Sequence, residues 1–316
     1  MSLLNKAFLF FLSLAILGWT NTKHFYNHST SKQNYYEFWD YQFVFKNGTK
    51  VFLTYSLVNI PALGKKVAAE LSMHAFQGAH PSVGRQFPHS DWHEDKAQQR
   101  IFMRQGHFME NAPGNNHRVL FETQKNQGFL IDITFSQCAK SGPLDVSPAA
   151  KDTLHIISHI PHGQVKGTIA VGKDTLQVTG YGSLVHSWHK RNISDLASKS
   201  VFLLGSNSQL PTAKLFQDKN GNVLGIATAV IQGQSTNLRA RSIEEKDKIL
   251  TIKWNKNVPN TTINLNQVKQ RYSALTNIDS WLEKQAARLI LGGEMILLRG
   301  ATSAATGIVH WTAAGY

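Results

Sequence analysis

Runs of alternating apolar and polar residues follow one another along most of this 316-residue chain. A period of two is typical of β-strands that bury one face. Their short, even spacing favours antiparallel meanders or barrels over β-α-β units. Hairpin turns are predicted at Asn47-Gly48 and at residues 218–222. Residues 66–76 fit a strand or a short amphipathic stretch. The other runs are residues 36–45, 51–57, 101–108, 118–123, 128–136, 153–159, 164–171, 175–181, 201–206, 213–217, 223–231, 248–254, 268–272, 294–299 and 307–311.

One late stretch has the period of a helix instead. Apolar residues at positions 278, 282, 286, 289 and 290 fall on one face, Asn277 or Asp279 can cap the start, and Gly292-Gly293 ends it. Residues 141–151, which include two prolines, interrupt the strand pattern. We therefore predict an all-β protein of two tandem antiparallel barrels, residues 35–150 and 151–316, with one short late helix.

The first residues have the pattern of an export signal. Lys6 precedes an apolar run at residues 7–19, which is short for a membrane-spanning helix of about 20 residues. Residues 17–20 lack a clean cleavage motif, so an uncleaved N-terminal anchor remains an alternative to a signal peptide for residues 1–20. We predict a periplasmic or secreted protein, in which the polar residues 21–34 form a loose linker.

The charge of the chain limits the kinds of partner, and its cysteine content limits the possible disulfides. The formal net charge is +13, but the basic residues are scattered and the densest run is only His189-Lys190-Arg191. We therefore predict no nucleic-acid partner. Peripheral contact with an anionic membrane surface fits this charge better. Cys138 is the only cysteine, which excludes an intramolecular disulfide, and its place after an apolar strand favours a buried side chain over a nucleophile.

Residues 160–188 are the most informative stretch, because two alternating β segments lead through Gly180-x-Gly182 to His186-x-Trp188. This stretch resembles the strands between the two barrels of the hydroxyneurosporene synthase (carotenoid 1,2-hydratase) family, "IPxGxVxGT" followed by "GxGYHDHxW". Residues 36–39 resemble the "EWWYF" opening of that family, and residues 307–311 resemble its closing "GxGxxEY" strand. The resemblance implies two lipocalin-like barrels and a lipid-sized apolar cavity.

The motif differs from that family at its acid. Val185 stands where the family has an aspartate, and Leu184 stands where it has the preceding histidine. Hydration of an isolated alkene needs a strong proton donor, such as a carboxylic acid held neutral in an apolar pocket. We therefore predict an exported protein that binds a lipophilic, isoprenoid-like or lipid-like molecule. The alternatives are a hydratase, cyclase or isomerase acting on such a molecule, and an envelope-associated protein without a ligand.

The candidate site follows from the same stretch. His186 and Trp188 are two residues apart and share one face of a strand. Either they line the cavity, with His186 as a polar anchor or general acid–base and Trp188 against the ligand, or both are packing residues. We predict a ligand-binding set of His186, Trp188, Tyr181 and Trp39, with His186 as the catalytic residue if there is catalysis, and neither cofactor nor metal.

Residues 80–98 form a polar stretch with further candidates. His89, Asp91, His93 and Glu94 carry side chains that could hold a divalent metal if the loop folded around it. A surface loop, or a loop at the mouth of the cavity, is the simpler interpretation.

Overall fold

The protein is all-β. A computed structural model describes residues 25–28, 34–60, 64–104, 106–112, 116–123, 128–136, 138, 154–191, 193–207, 209–231, 234–256, 258–273, 296–304 and 307–315. Twenty-one strands account for most of these residues, and the α-helix among them is one turn, Ile193–Leu196. This confirms the fold class predicted from the period of two. The predicted late helix, the approach to the domain junction at residues 141–151 and the export segment lie outside the described residues.

The first sheet has eleven antiparallel strands and forms a nearly closed barrel. Its order is β4-β3-β2-β1-β11-β10-β9-β8-β7-β6-β5, so the first strand pairs with the last. The edge strands β4 and β5 follow each other across a short turn at His89–Asp91. The strands are β1 (Tyr35–Phe45), β2 (Lys50–Ile60), β3 (Gly64–His74), β4 (Ser82–Pro88), β5 (Trp92–Asp95), β6 (Arg100–Met103), β7 (His107–Ala112), β8 (Asn116–Glu122), β9 (Phe129–Ser136), β10 (Leu154–Val171) and β11 (Asp174–His189).

The β1–β2 hairpin illustrates how the sequence produces this sheet. Asn47 and Gly48 form the turn, with Gly48 at a φ of 87°, a conformation that glycine adopts without a steric penalty. The Asn47 side chain accepts a hydrogen bond from the Thr49 amide at 3.0 Å. Along β2 every second side chain is completely buried, namely Val51, Leu53, Tyr55 and Leu57. The hairpin turn sets the register, and the alternation directs the apolar side chains inward.

Two further sheets enclose a second core. A seven-stranded sheet has the order β15-β14-β13-β12-β21-β20-β19, and a three-stranded sheet has the order β16-β17-β18. Side chains from both sheets, including Trp254 and Trp311, form one hydrophobic cluster. The strands are β12 (Lys199–Gly205), β13 (Thr212–Gln217), β14 (Val223–Ile231), β15 (Gln234–Leu238), β16 (Ala240–Lys246), β17 (Ile249–Trp254), β18 (Thr261–Asn264), β19 (Val268–Ser273), β20 (Ile296–Ala304) and β21 (Gly307–Gly315).

One feature differs from the sequence interpretation, and another bears on the predicted domain boundary. The polar stretch of residues 80–98 is not a plain loop, because β4 and β5 lie within it and pair with β3 and β6. β10 and β11 follow the boundary drawn at residue 150, yet both pair with strands of the first sheet. The division into domains at residue 150 itself stays a prediction.

The outer face of the first barrel packs against the second sheet. Ile156 and Val185 of the barrel form a small apolar cluster with Phe216 of β13. Beside this cluster, the Lys214 ammonium donates hydrogen bonds to the Asp40 carboxylate and to the Ser187 hydroxyl. Val185 therefore faces the second sheet, whereas its neighbour His186 faces the barrel interior.

Candidate functional site

The register between β1 and β11 brings the predicted site residues together inside the first barrel. Trp39 pairs with His186, and Glu37 pairs with Trp188. Side chains two apart on a strand share a face, so all four point into the barrel. Glu37, Trp39 and His186 are completely buried, and Trp188 is 9% exposed. Three of the four predicted residues, Trp39, His186 and Trp188, thus lie at one place.

A buried carboxylate–imidazole pair is the centre of this place. Nε2 of His186 lies 2.8 Å from Oε1 of Glu37. Burial raises the pKa of the Glu37 carboxyl, but hydrogen bonds from His186 and His28 outweigh that effect, and the pKa ends below its ordinary value. An ionised carboxylate only accepts hydrogen bonds, so Nε2 of His186 carries a proton.

A second histidine extends the pair. Nε2 of His159 on β10 lies 3.4 Å from Nδ1 of His186, the ring nitrogen that faces away from Glu37. A neutral His186 with its proton on Nε2 can accept a hydrogen bond at Nδ1. Glu37, His186 and His159 therefore form a chain along which a proton can be passed.

Aromatic rings enclose the pair. The Trp39 ring stacks on His186 with centroids 4.4 Å apart. The Trp188 ring lies between two imidazoles. Its ring centroid is 4.0 Å from that of His28 and 4.8 Å from that of His155. Because these rings exclude water, charges at Glu37 and His186 interact in an environment of low polarity.

The segment at residues 25–28 closes the barrel over the pair. We expected a loose linker here, but Phe25 is 1% exposed and its carbonyl oxygen accepts a hydrogen bond from the Trp39 indole at 3.0 Å. The backbone amide of His28 donates hydrogen bonds to both carboxylate oxygens of Glu37, at 3.1 and 3.2 Å. Nδ1 of the His28 ring lies 3.1 Å from Oε1 of Glu37. The Asn27 amide donates to Glu94. Burial of Phe25 and the charge of Glu37 fix this segment.

Other candidates lie apart from the pair. Tyr181 is on the opposite face of β11, where it stacks on His162 and approaches His310 of β21 with ring centroids 6.3 Å apart. Among the described residues, the metal-type donors that come together are not in the 80–98 stretch. They are His28, Glu37 and His186, whose ligating atoms all lie within 4.8 Å of one another.

Cys138 packs against the core of the first barrel, and burial raises the pKa of its thiol to about 11. The thiolate form is therefore disfavoured, in agreement with a buried side chain rather than a nucleophile.

Two open depressions lie elsewhere on the described surface. One is lined by Arg118, Asp132 and Lys166 on the outer face of the barrel. The other includes Arg100 and His107. Neither is lined by a residue of the Glu37–His186 pair.

Comparison with known proteins supports the fold. No family model and no curated protein matches the chain. A crystal structure of a Nitrosomonas europaea protein assigned as AttH is similar, with a TM-score of 0.52 and 12% identity over 90% of this chain and 93% of that chain. The crystal structure of CghA with Sch210972 is similar, with a TM-score of 0.52 and 10% identity over 89% of this chain and 88% of that chain. These likenesses show a shared lipocalin-like fold.

Proposed function

We propose that the protein is an enzyme that moves a proton on an apolar small molecule, as a hydratase, cyclase or isomerase does. The observation that carries this proposal is the 2.8 Å contact between Glu37 and His186, two completely buried titratable groups among aromatic rings. Titratable pairs kept out of water are typical of acid–base sites. The resemblance of residues 160–188 to the carotenoid hydratase strands supports an apolar substrate.

Glu37 places beside His186 a carboxylate that the motif around residue 185 lacks. Position 185 faces the second sheet, so an acid there would point away from His186. Glu37 reaches His186 from the neighbouring strand instead. His186 would carry the transferred proton, and Glu37 would stabilise the imidazolium form.

A carrier function is the second candidate. The interior of the first barrel is apolar and aromatic, which would suit a protein that holds a lipophilic molecule unchanged. CghA, which shares the fold, was crystallised with the small molecule Sch210972. This supports a small organic ligand for either candidate function.

An exchange experiment separates the two candidates. Purified protein is incubated in D2O with an apolar extract of the cells that produce it, and the extract is analysed by mass spectrometry. An enzyme of the proposed type leaves deuterium on carbon of its product, whereas a carrier returns its ligand unlabelled.

Glu37→Gln keeps the side-chain volume and removes the charge, so it should abolish labelling. Glu122→Gln changes an exposed glutamate of the same barrel and should label like the wild type. The thermal midpoint of each variant shows whether it is folded. Wild-type labelling in folded Glu37→Gln would refute the role of the pair.

We also propose that residues 1–20 direct export as a signal peptide. In the alternative, the same residues stay uncleaved and form an N-terminal membrane anchor. No helix in the described ranges combines the length and the apolar character needed to cross a membrane. Fractionation of cells that express the full chain, or a chain without residues 1–20, tests the proposal. Recovery of both forms from the cytoplasm would refute it.

A further inference from the structure

We propose that His28, Glu37 and His186 form a binding site for a divalent transition-metal ion of the zinc type. Nδ1 of His28 and Nε2 of His186 lie 3.1 and 2.8 Å from the same oxygen, Oε1 of Glu37, and all ligating atoms lie within 4.8 Å of one another. Zinc bonds of about 2.0 Å place tetrahedral ligands about 3.3 Å apart. The two nitrogen–oxygen contacts therefore need to lengthen by only a few tenths of an ångström.

The donor set has the chemistry of a zinc site. Two imidazoles and one glutamate are a known ligand combination of catalytic zinc, in which water or a substrate atom takes the fourth position. The ligands come from three parts of the chain, the segment at residues 25–28, β1 and β11. Two of them, Glu37 and His186, are held at neighbouring positions by the sheet register.

The surroundings hold the rings in orientations suited to a metal. Metal-binding histidines usually use their second ring nitrogen for an outer hydrogen bond, which fixes the ring. Nδ1 of His186 lies 3.4 Å from His159 in this role. Trp39 stacks on His186, and Trp188 lies parallel to His28 with an interplanar angle of 2°. These contacts restrict both imidazoles.

The carboxylate adds an electrostatic reason. Glu37 is completely buried, and its contacts are with the His28 amide, the His28 ring and the His186 ring. A divalent cation would neutralise this charge more completely than two ring N–H groups do. It would also fasten residues 25–28 to the barrel, because His28 is the ligand that this segment contributes.

The inference does not depend on the proposed function. Metal and proton compete for the same atoms of Glu37 and His186, so a bound ion should suppress proton transfer by the pair. The exchange experiment is therefore run on metal-stripped protein. If the stripped wild type labels its product but binds no metal, this inference alone is overturned. If it binds metal when titrated but leaves no label, the proposed function alone is overturned.

Cobalt and zinc titrations test the site. Full-length protein stripped of metal is titrated with Co²⁺ by absorption spectroscopy and with Zn²⁺ by calorimetry. We expect one equivalent of each, a cobalt spectrum typical of nitrogen and oxygen ligands, and a thermal midpoint that rises with zinc. His28→Ala removes a ligand outside every strand and should weaken zinc binding by at least the 10–100-fold that loss of an outer-shell partner costs.

His93→Ala is the matched control, because it removes an exposed histidine outside the group. It should bind zinc like the wild type. His159→Ala should weaken binding by about 10–100-fold while the stoichiometry stays at one. Equal zinc affinity in His28→Ala and the wild type, or failure of the stripped wild type to bind either ion, would overturn the proposal.

Discussion

A buried histidine on β8 makes the stability of the first barrel depend on pH. Nε2 of His117 lies 2.8 Å from the Tyr41 hydroxyl, and its Nδ1 lies 2.8 Å from Oδ1 of Asn111. Burial lowers the pKa of His117 from 6.5 to about 3. The unfolded chain therefore takes up a proton as the pH falls below 6.5, whereas the folded barrel does not until the pH approaches 3.

The size of the effect follows from this difference. Each pH unit between the two pKa values lowers the free energy of unfolding by about 1.4 kcal/mol, because only the unfolded state binds the proton. At pH 4.5, two units below 6.5, His117 alone should cost about 2.7 kcal/mol relative to neutral pH. Burial also lowers the pKa of His107 and of His310, each to about 4, so both act in the same direction.

Urea denaturation at several pH values between 7 and 4.5 measures this dependence. His117→Asn keeps a donor near the position of Nδ1 but cannot titrate, so its slope of unfolding free energy against pH should be smaller by about 1.4 kcal/mol per unit. Tyr41→Phe is the matched control, because it removes the hydroxyl contact and keeps the histidine. Tyr41→Phe should be less stable than the wild type at every pH, but its free energy of unfolding should change with pH at the wild-type slope. A wild-type slope in His117→Asn would refute the reasoning.

Two other substitutions test how the barrel is held together. Lys214→Met leaves the largely buried Asp40 carboxylate without its cation, and we expect the free energy of unfolding in urea to fall by about 3 kcal/mol; a loss below about 1 kcal/mol would mean that water replaces the ion pair. Gly180→Ala would place a Cβ atom 2.1 Å from the Val44 carbonyl oxygen, so β1 and β11 must separate. Its thermal midpoint and its labelling in D2O should both fall, and an unchanged midpoint would contradict the close approach of the strands.

The strands could be predicted where one face is buried and not where both faces are polar. β2 alternates between buried and half-buried residues, so its period of two is visible in the sequence. In β4 only Phe87 is buried, because this strand lies at the edge of the sheet. Its composition therefore resembles that of a loop, which is what the sequence predicts for residues 80–98.

The candidate site was predictable residue by residue but not as an arrangement. A short motif on β1 identifies Trp39, and a short motif on β11 identifies His186 and Trp188. The partner of His186 could not be found, because Glu37 meets it only through the register of β1 against β11. The residue beside His186 along the chain cannot supply it with an acid, because alternation directs the Val185 side chain to the other face of the sheet.

The pairing of β1 with β11 also determines when the site can form. Glu37 and His186 are separated by 149 residues, and contacts between such distant residues make folding slow because a large loop must close first. Until β11 has been synthesised and has docked, β1 presents an unpaired edge to other chains. A fragment that ends before β11 therefore lacks the carboxylate–imidazole pair, and its β1 has an unpaired edge that is prone to aggregation. Formation of the Glu37–His186 contact thus indicates that β11 has docked onto β1.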